Sequence, residues 1–322
     1  MNIYIIYNDD FSKDDNIEKG EIDNVGNALT SLGHFVAYNS IKSIADFDFF
    51  FSPFLHGDLV FNLFEGFSDH PESEILAVEK LEELSLLFTG NSSKTLKLTL
   101  DKCKTKKLLE DCGVRTPNFT KVTSNREMSL EGLSFPLIIK PNRSDASNGI
   151  DLDNVTYRIS DLVNKVNELL FSYDEVVIEE YIDGREFNVG LLGRRGEMKV
   201  TSISEIVYDF PVDVPKILTF GSKWKKDSMY FDNSSPVCPA VVDVDKMTDI
   251  CDMAIKSCAV AECKGYARVD FRQDREGNNY VLEINANPDL SDDAGFVLQA
   301  KQFGLSYDDL IGEIVRIGID KR

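Results

Sequence analysis

Arg268-Val-Asp-Phe-Arg-Gln-Asp-Arg-Glu-Gly-Asn-Asn-Tyr-Val-Leu-Glu-Ile-Asn-Ala-Asn-Pro288 is the stretch on which the reading of this chain turns. Two alternating apolar runs flank a polar turn with Gly277, the pattern of a β-hairpin. Residues two apart on a strand share a face. Glu283 and Asn285 therefore point the same way, and Asp270 on the partner strand can join them. Taken singly, each has an ordinary explanation: a strand-end acid is usually solvated, and Asp270 has Arg268 as a ready partner. Together, two carboxylates and one amide oxygen form a hard, all-oxygen set, which suits Mg²⁺ held along with substrate phosphates.

Two upstream runs carry further chemistry. Phe135-Pro-Leu-Ile-Ile-Lys-Pro141 puts Lys140 at the end of an apolar strand, where an ammonium calls for an anionic partner. The polar loop after it, with Ser144, Ser147, Asn148 and Gly149, offers hydroxyl and backbone donors for phosphate. A lysine snorkelling from a strand end explains Lys140 equally well. No Gly-x-x-x-x-Gly-Lys-Ser/Thr occurs, which disfavours a Walker-type NTPase. Val176-Val-Ile-Glu-Glu-Tyr-Ile-Asp-Gly-Arg-Glu-Phe187 leads an apolar strand through Glu179 and Glu180 into a turn at Asp183-Gly184, then to Glu186. Backbone groups and a carboxylate there could bind an adenine edge and ribose hydroxyls, although one such glutamate alone reads as a solvated strand end.

Bulk properties narrow the partners. The 322 residues, 43% hydrophobic and 28% charged, suit two or three packed lobes. A net charge of −20 repels phosphate backbones and argues against nucleic acid. An anionic ligand then needs locally placed Lys and Arg, or metal ions. The six cysteines are dispersed without a Cys-x-x-Cys pair and read as free, mostly buried thiols. With only His34, His56 and His70, a His-rich metal site is unavailable and a Ser-His-Asp or Cys-His machine has weak support. No apolar run is long enough to span a bilayer and the N-terminus lacks signal-like features, so a soluble cytoplasmic protein is expected.

Residues 1–90 alternate strands (3–7, 35–38, 58–64, 86–89) with helices (17–33, 72–84), implying a small parallel sheet flanked by helices. One Lys-rich helix is predicted over 92–112, stopped by Gly113 and Pro117. Strands follow at 119–122, 135–140 and 175–182, with a helix at 160–171. Two strands fall within 186–208. Residues 209–239, with Pro211, Pro215, Pro236 and Pro239, read as a long functional loop. A helix at 243–263 leads into the hairpin, and helices at 296–303 and 306–318 close the chain.

These runs in this order, with Lys102 upstream, resemble the ATP-grasp superfamily, and within it the D-alanine–D-alanine ligase branch. The resemblance covers nearly the whole chain and is specific from about residue 92 to 305. It implies a three-lobed α/β (α+β) fold: an N-terminal parallel α/β lobe at 1–91, a central ATP-grasp subdomain at 92–184, and a C-terminal subdomain with the metal site at 185–322. ATP would lie clamped between two antiparallel sheets, with Mg²⁺ (two ions, or Mn²⁺) as cofactor. The resemblance makes Lys102 and Lys140 the phosphate-contacting lysines and places Ser147 in the phosphate loop. Glu179, Glu180 and Ile182 become the adenine hinge, and Glu186 the ribose carboxylate. Lys223 and Trp224 fall in the mobile loop, with Lys223 on phosphate. Asp270, Glu283 and Asn285 become the metal ligands. Arg268 becomes the arginine that steadies the phosphoryl group or developing oxyanion. Asn287-Pro288 and the following loop, with Asp289, would line the acceptor pocket.

The chain departs from the family at the substrate subsites. The N-terminal Gly-Gly-x-Ser-x-Glu motif is replaced by Tyr7-Asn-Asp-Asp-Phe-Ser12. The His-Gly…Glu-Asp-Gly segment appears as Phe64-Glu-Gly-Phe-Ser-Asp-His-Pro-Glu-Ser-Glu74, which leaves Glu65, Asp69, His70, Glu72 and Glu74 as candidate substrate residues. Ala146 stands where a serine is usual, and 289–295 lacks the Gly and Ser that grip a D-alanine carboxylate. The acids Asp289, Asp292 and Asp293 suit a basic or amino group, or plain solvation. The expectation is an ATP-dependent carboxylate–amine ligase acting through an acyl phosphate on small amino-acid or peptide substrates. D-alanine–D-alanine ligation proper, a phosphotransferase, and a non-catalytic nucleotide-binding regulator are the alternatives. Family precedent extends to a homodimer.

Overall fold

The computed structural model describes residues 1–8, 15–47, 58–67, 70, 72–124, 128–144, 147–219 and 233–320. The N-terminal segment builds a parallel sheet from β1 (Asn2–Asn8), β2 (Phe35–Ile41), β3 (Leu59–Leu63) and β4 (Leu87–Phe88), in the order β2-β1-β3-β4. Helices α1 (Asp15–Ser31) and α2 (Ser73–Glu83) make crossovers. Both faces are covered, so β3 is buried at every position and reads as a continuous apolar run. Ile3, Ile5, Leu59 and Phe61 pack with Val25 and Leu29 of α1, while Ile6, Val60 and Phe64 pack with Val78 and Leu81 of α2.

The predicted helix over 92–112 is two helices, α3 (Ser93–Leu100) and α4 (Lys102–Asp111). Asp101 breaks the run with extended φ −90° and ψ 94°. Its carboxylate accepts from Lys104 N at 3.1 Å, capping α4, and from Asn142 Nδ2 at 3.0 Å. A short aspartate side chain competes with helix continuation by bonding the backbone ahead of it. Burial pushes the Asp101 carboxyl up, but these donors outweigh it and hold it below its ordinary value.

A second sheet, antiparallel, joins β5 (Phe119–Thr123), β6 (Leu137–Pro141), β7 (Val155–Thr156) and β8 (Glu175–Glu180) in the order β5-β8-β6-β7. Alternation divides its faces. Leu137, Ile139, Val176 and Ile178 pack beneath α5 (Ile159–Ser172), and Lys140 and Glu179 share the opposite face.

The third sheet holds β9 (Arg185–Gly193), β10 (Lys199–Tyr208), β11 (Ser234–Val237), β12 (Gly265–Gln273) and β13 (Asn279–Ala286), in the order β11-β10-β9-β12-β13. The edge strand β11 lies inside the stretch predicted as irregular loop; Pro236 suits an edge, where its missing N–H costs no ladder bond. The residues Phe187, Val189, Leu191, Ala267, Val269 and Phe271 pack against α6 (Val244–Val260). The alternate residues of β12, namely Tyr266, Arg268, Asp270 and Arg272, therefore share the other face. Helices α7 (Gly295–Gln302) and α8 (Tyr307–Gly318) close the chain, and α8 returns to the N-terminal sheet through Leu310, Ile311 and Ile314. Among the described residues no helix is long and apolar enough to cross a membrane.

Candidate functional site

The hairpin of β12 and β13 pairs Asp270 with Glu283 and Arg268 with Asn285, and its turn uses Gly277 at φ +83°. A bulge follows Asp270, so Phe271 pairs with Val281 and Leu282 is the extra residue. Directly opposed residues share a face. The register thus brings Asp270, Glu283 and Asn285 together: Asn285 Nδ2 donates to Asp270 Oδ2 at 2.8 Å. Arg268 forks onto Asp270 at 2.7 and 2.8 Å, and Asn188 Nδ2 of β9 donates to Asp270 Oδ1 at 2.7 Å. Lys102 Nζ lies 3.4 Å from Glu283. Burial pushes the Arg268 guanidinium down, but Asp270 and then Glu283 outweigh it and raise it above its ordinary value. Among the described residues no three Asp, Glu, His or Cys gather closely enough to hold a metal ion. The set here is two carboxylates and one amide, hard oxygens ringed by cations, and that chemistry fits Mg²⁺ shared with phosphate.

One turn along α4 from Lys102, Lys106 joins a second charge cluster. Glu179, 1% exposed, meets Lys140 Nζ at 2.5 Å and Lys106 Nζ at 2.8 Å. Burial pushes its carboxyl up, but the two ammoniums, Lys106 ahead of Lys140, outweigh that and hold it at about 2. Lys106 also donates to Thr116 Oγ1 at 2.9 Å, and burial pushes its ammonium below the ordinary value. Sequence reasoning passed over Lys106, which looks like one more solvated lysine of a Lys-rich helix. Lys102 Nζ donates to the Ser144 carbonyl at 2.6 Å, tying it to the loop that holds Ser147, a residue at φ +61°.

Glu180 turns away from Glu179, as strand alternation requires. Its carboxylate accepts from Asn118 Nδ2 and Ser134 N, both at 3.0 Å. Its main-chain N–H is taken too, donating to the Asn118 carbonyl at 3.0 Å. Ile182 follows the strand half-buried. Glu186 is buried, forms an ion pair with Arg272 at 2.8 Å and accepts from the Tyr208 hydroxyl at 2.7 Å. Neither Arg272 nor Tyr208 was singled out from sequence, though Arg272 stands two residues from Asp270 on the same face. Lys223, Trp224 and Asp69 lie outside the described residues.

The expected substrate residues scatter around one end of this face. Glu65 is exposed, with its N–H donating to Asn8 Oδ1 at 2.9 Å, and His70 is exposed in an isolated bridge to Phe67. Glu72 pairs with Arg143 of the loop after β6 at 2.7 Å. Asn287, at φ +57°, works as a latch: Oδ1 accepts from Asn91 N at 2.8 Å, and Nδ2 donates to Glu74 at 3.0 Å. Asp289 caps its own turn at Ser291 N, 2.7 Å. Burial raises the Tyr266 hydroxyl, and the charges of Glu21, Glu74, Glu65 and Asp289 add to that. Glu21, which accepts from Leu290 N at 3.0 Å, was not expected; only its place on α1 hints at it.

The chain is similar in sequence and in fold to known proteins. A family model described as the D-ala D-ala ligase C-terminus matches residues 108–316. An uncharacterized protein of Sinorhizobium fredii is 34% identical over 80% of this chain and 74% of its own length. The D-alanine–D-alanine ligase of Actinobacillus succinogenes is 26% identical over 74% of each. Among solved structures, the D-alanine–D-alanine ligase of Bacillus anthracis complexed with ATP superimposes with a TM-score of 0.79 at 19% identity, covering 99% of this chain and 97% of its own. The VanG D-Ala:D-Ser ligase of Enterococcus faecalis gives 0.77 at 18% identity, covering 99% of both chains.

Proposed function

The chain belongs to the D-alanine–D-alanine ligase family of ATP-grasp enzymes, which form C–N bonds, and from that premise we propose that it joins a carboxylate to an amine through an acyl phosphate, on amino-acid or peptide substrates other than two D-alanines. The observation that carries this reading is the single face that aligns Arg268 and Asp270 with Glu283 and Asn285 opposite, beside Lys102. A carboxylate oxygen attacks the γ-phosphorus of ATP, the bond to the bridging oxygen breaks, and ADP leaves. The amine nitrogen then attacks the acyl carbon, inorganic phosphate leaves, and the ammonium proton passes to solvent.

Two anions must meet in the first step, so the site must concentrate positive charge. Lys102 and Lys140 supply it toward the phosphates, and Arg268 toward the oxyanion of the second step. Mg²⁺ held by Asp270, Glu283 and Asn285 would screen the β- and γ-phosphates. Glu186 would take the ribose and the main chain near Ile182 the adenine. Lys223, in the segment before Trp224, would add a further phosphate contact.

The rewritten subsites support the substrate reading. Tyr7 to Ser12 lacks the glycines and glutamate of the family motif, and Asp289 stands after Pro288 in place of glycine. Glu65, His70, Glu72, Asn287 and Asp289 remain the proposed substrate-side residues. ADP release against a matrix of amino acids and dipeptides, with each amine also omitted, tests the proposal. ADP release that needs both partners, and is faster with another pair than with D-alanine alone, is the expected result. D-alanine alone as the best substrate would overturn the substrate reading, and ADP release indifferent to the amine would overturn the ligase.

A further inference from the structure

Arg272 stands beyond Asp270 on the active face of β12 and has no part in the chemistry above. It is 4% exposed. Its guanidinium meets Glu186 Oε2 at 2.8 Å and lies over the rings of Tyr181 and Tyr208, with centroids 5.7 and 5.6 Å away. It also donates to the carbonyls of Gly184, at 3.3 Å, and of Lys216. Lys216 N in turn donates to the Tyr181 hydroxyl at 2.9 Å. One guanidinium thus ties the turn after β8, the segment at 216 and the carboxylate of Glu186 into one body.

The way Glu186 is held is informative. Arg272 and Tyr208 both converge on Oε2, while Oε1 accepts no hydrogen bond from the described residues. A carboxylate with one oxygen bound twice and the other open is an acceptor of fixed direction. Without the guanidinium, a carboxyl this buried would face a heavy desolvation cost as an anion. It would also lose the partner that fixes Oε2, and with it the direction in which the carboxylate meets a hydroxyl donor. We propose that Arg272 is a positioning residue that fixes Glu186 as a reader of the ribose hydroxyls, so that the chain separates ATP from its deoxyribose analogues. This rests on the reading of the pocket as the ATP site.

The test is equilibrium binding of Mg-ATP, 2′-deoxyATP and 3′-deoxyATP to the full chain, with no amino-acid substrate needed. The wild type is expected to hold ATP about 10- to 100-fold more tightly than one or both analogues, the weight of one hydrogen bond to a carboxylate. Arg272→Met is expected to bring all three within about 3-fold by weakening ATP alone, and Arg272→Lys to restore part of the ratio. A merely structural role would weaken all three nucleotides equally, and that result overturns the proposal. Should Arg272→Met fail to fold, Arg272→Lys decides, because it keeps the charge and loses the planar fork that also holds the Gly184 and Lys216 carbonyls: a ratio equal to that of the wild type there also overturns it. Wild type that binds ATP and both analogues equally overturns this inference alone. Wild type that binds no ATP overturns it together with the proposed function.

Discussion

Lys106→Met probes the buried charge cluster that no sequence motif announces. Lys106 and Glu179 are each 1% exposed, 2.8 Å apart, with Lys140 on the other carboxylate oxygen. Glu179 is held at about 2 against an ordinary 4.5. A difference of that size corresponds to about 3 kcal/mol of stability at neutral pH. The folded value is the lower one, so this stability is complete above 4.5 and is lost as pH falls toward 2. Removing one partner of a buried pair costs about 3–5 kcal/mol. Lys140 retains half of the counter-charge here, so the expected loss is about 2–3 kcal/mol at pH 7. Urea unfolding of wild type and Lys106→Met, repeated from pH 7.5 down to 3, reads it. The difference should be full at neutral pH and shrink once pH passes below 4.5. Equal midpoints at pH 7, or a difference that ignores pH, would refute the reasoning.

Substitutions at four further residues have defined outcomes. Asp270→Asn and Glu283→Gln should each cut ADP formation about 100-fold or more while circular dichroism stays that of the wild type, since each removes charge from the metal-binding set; turnover within a few-fold of wild type would sink the metal assignment. Asn287→Ala loses the bonds to Asn91 and keeps a left-handed φ of 57° that alanine disfavours, for a loss of about 2 kcal/mol in denaturant titration. Asn287→Gly should be milder than Asn287→Ala, and the reverse order would contradict a backbone contribution. Asp101→Ala should lower stability by about 1 kcal/mol through the lost α4 cap, seen as a lower thermal midpoint; no change would mean that the break at 101 is held by other contacts.

The hairpin was legible because a period of two places Asp270, Glu283 and Asn285 without any knowledge of the rest. The parallel N-terminal sheet was legible for the same kind of reason, in apolar runs bounded by turns. The break at Asp101 was not, because lysine, leucine and threonine on both sides are compatible with one helix, and the carboxylate that caps α4 through Lys104 N is also held by the distant Asn142. Glu179 and Glu180 look alike in sequence, and their opposite fates follow from which face of β8 meets Lys106. Arg272 lies in plain view in the quoted hairpin, yet its partner Glu186 sits on β9, and that pairing needs the register of the sheet. The acids whose charge acts on Tyr266 come from separate segments, so no local pattern collects them.

The central claim is an acyl phosphate captured by an amine. With the substrate pair found by ADP release, the carboxylate substrate is labelled with ¹⁸O on both oxygens and the products are weighed by mass spectrometry. The account predicts one ¹⁸O in the inorganic phosphate and an organic product whose mass is the two substrates less one water. Unlabelled phosphate, or a phosphorylated substrate that accumulates whether or not the amine is present, would contradict it.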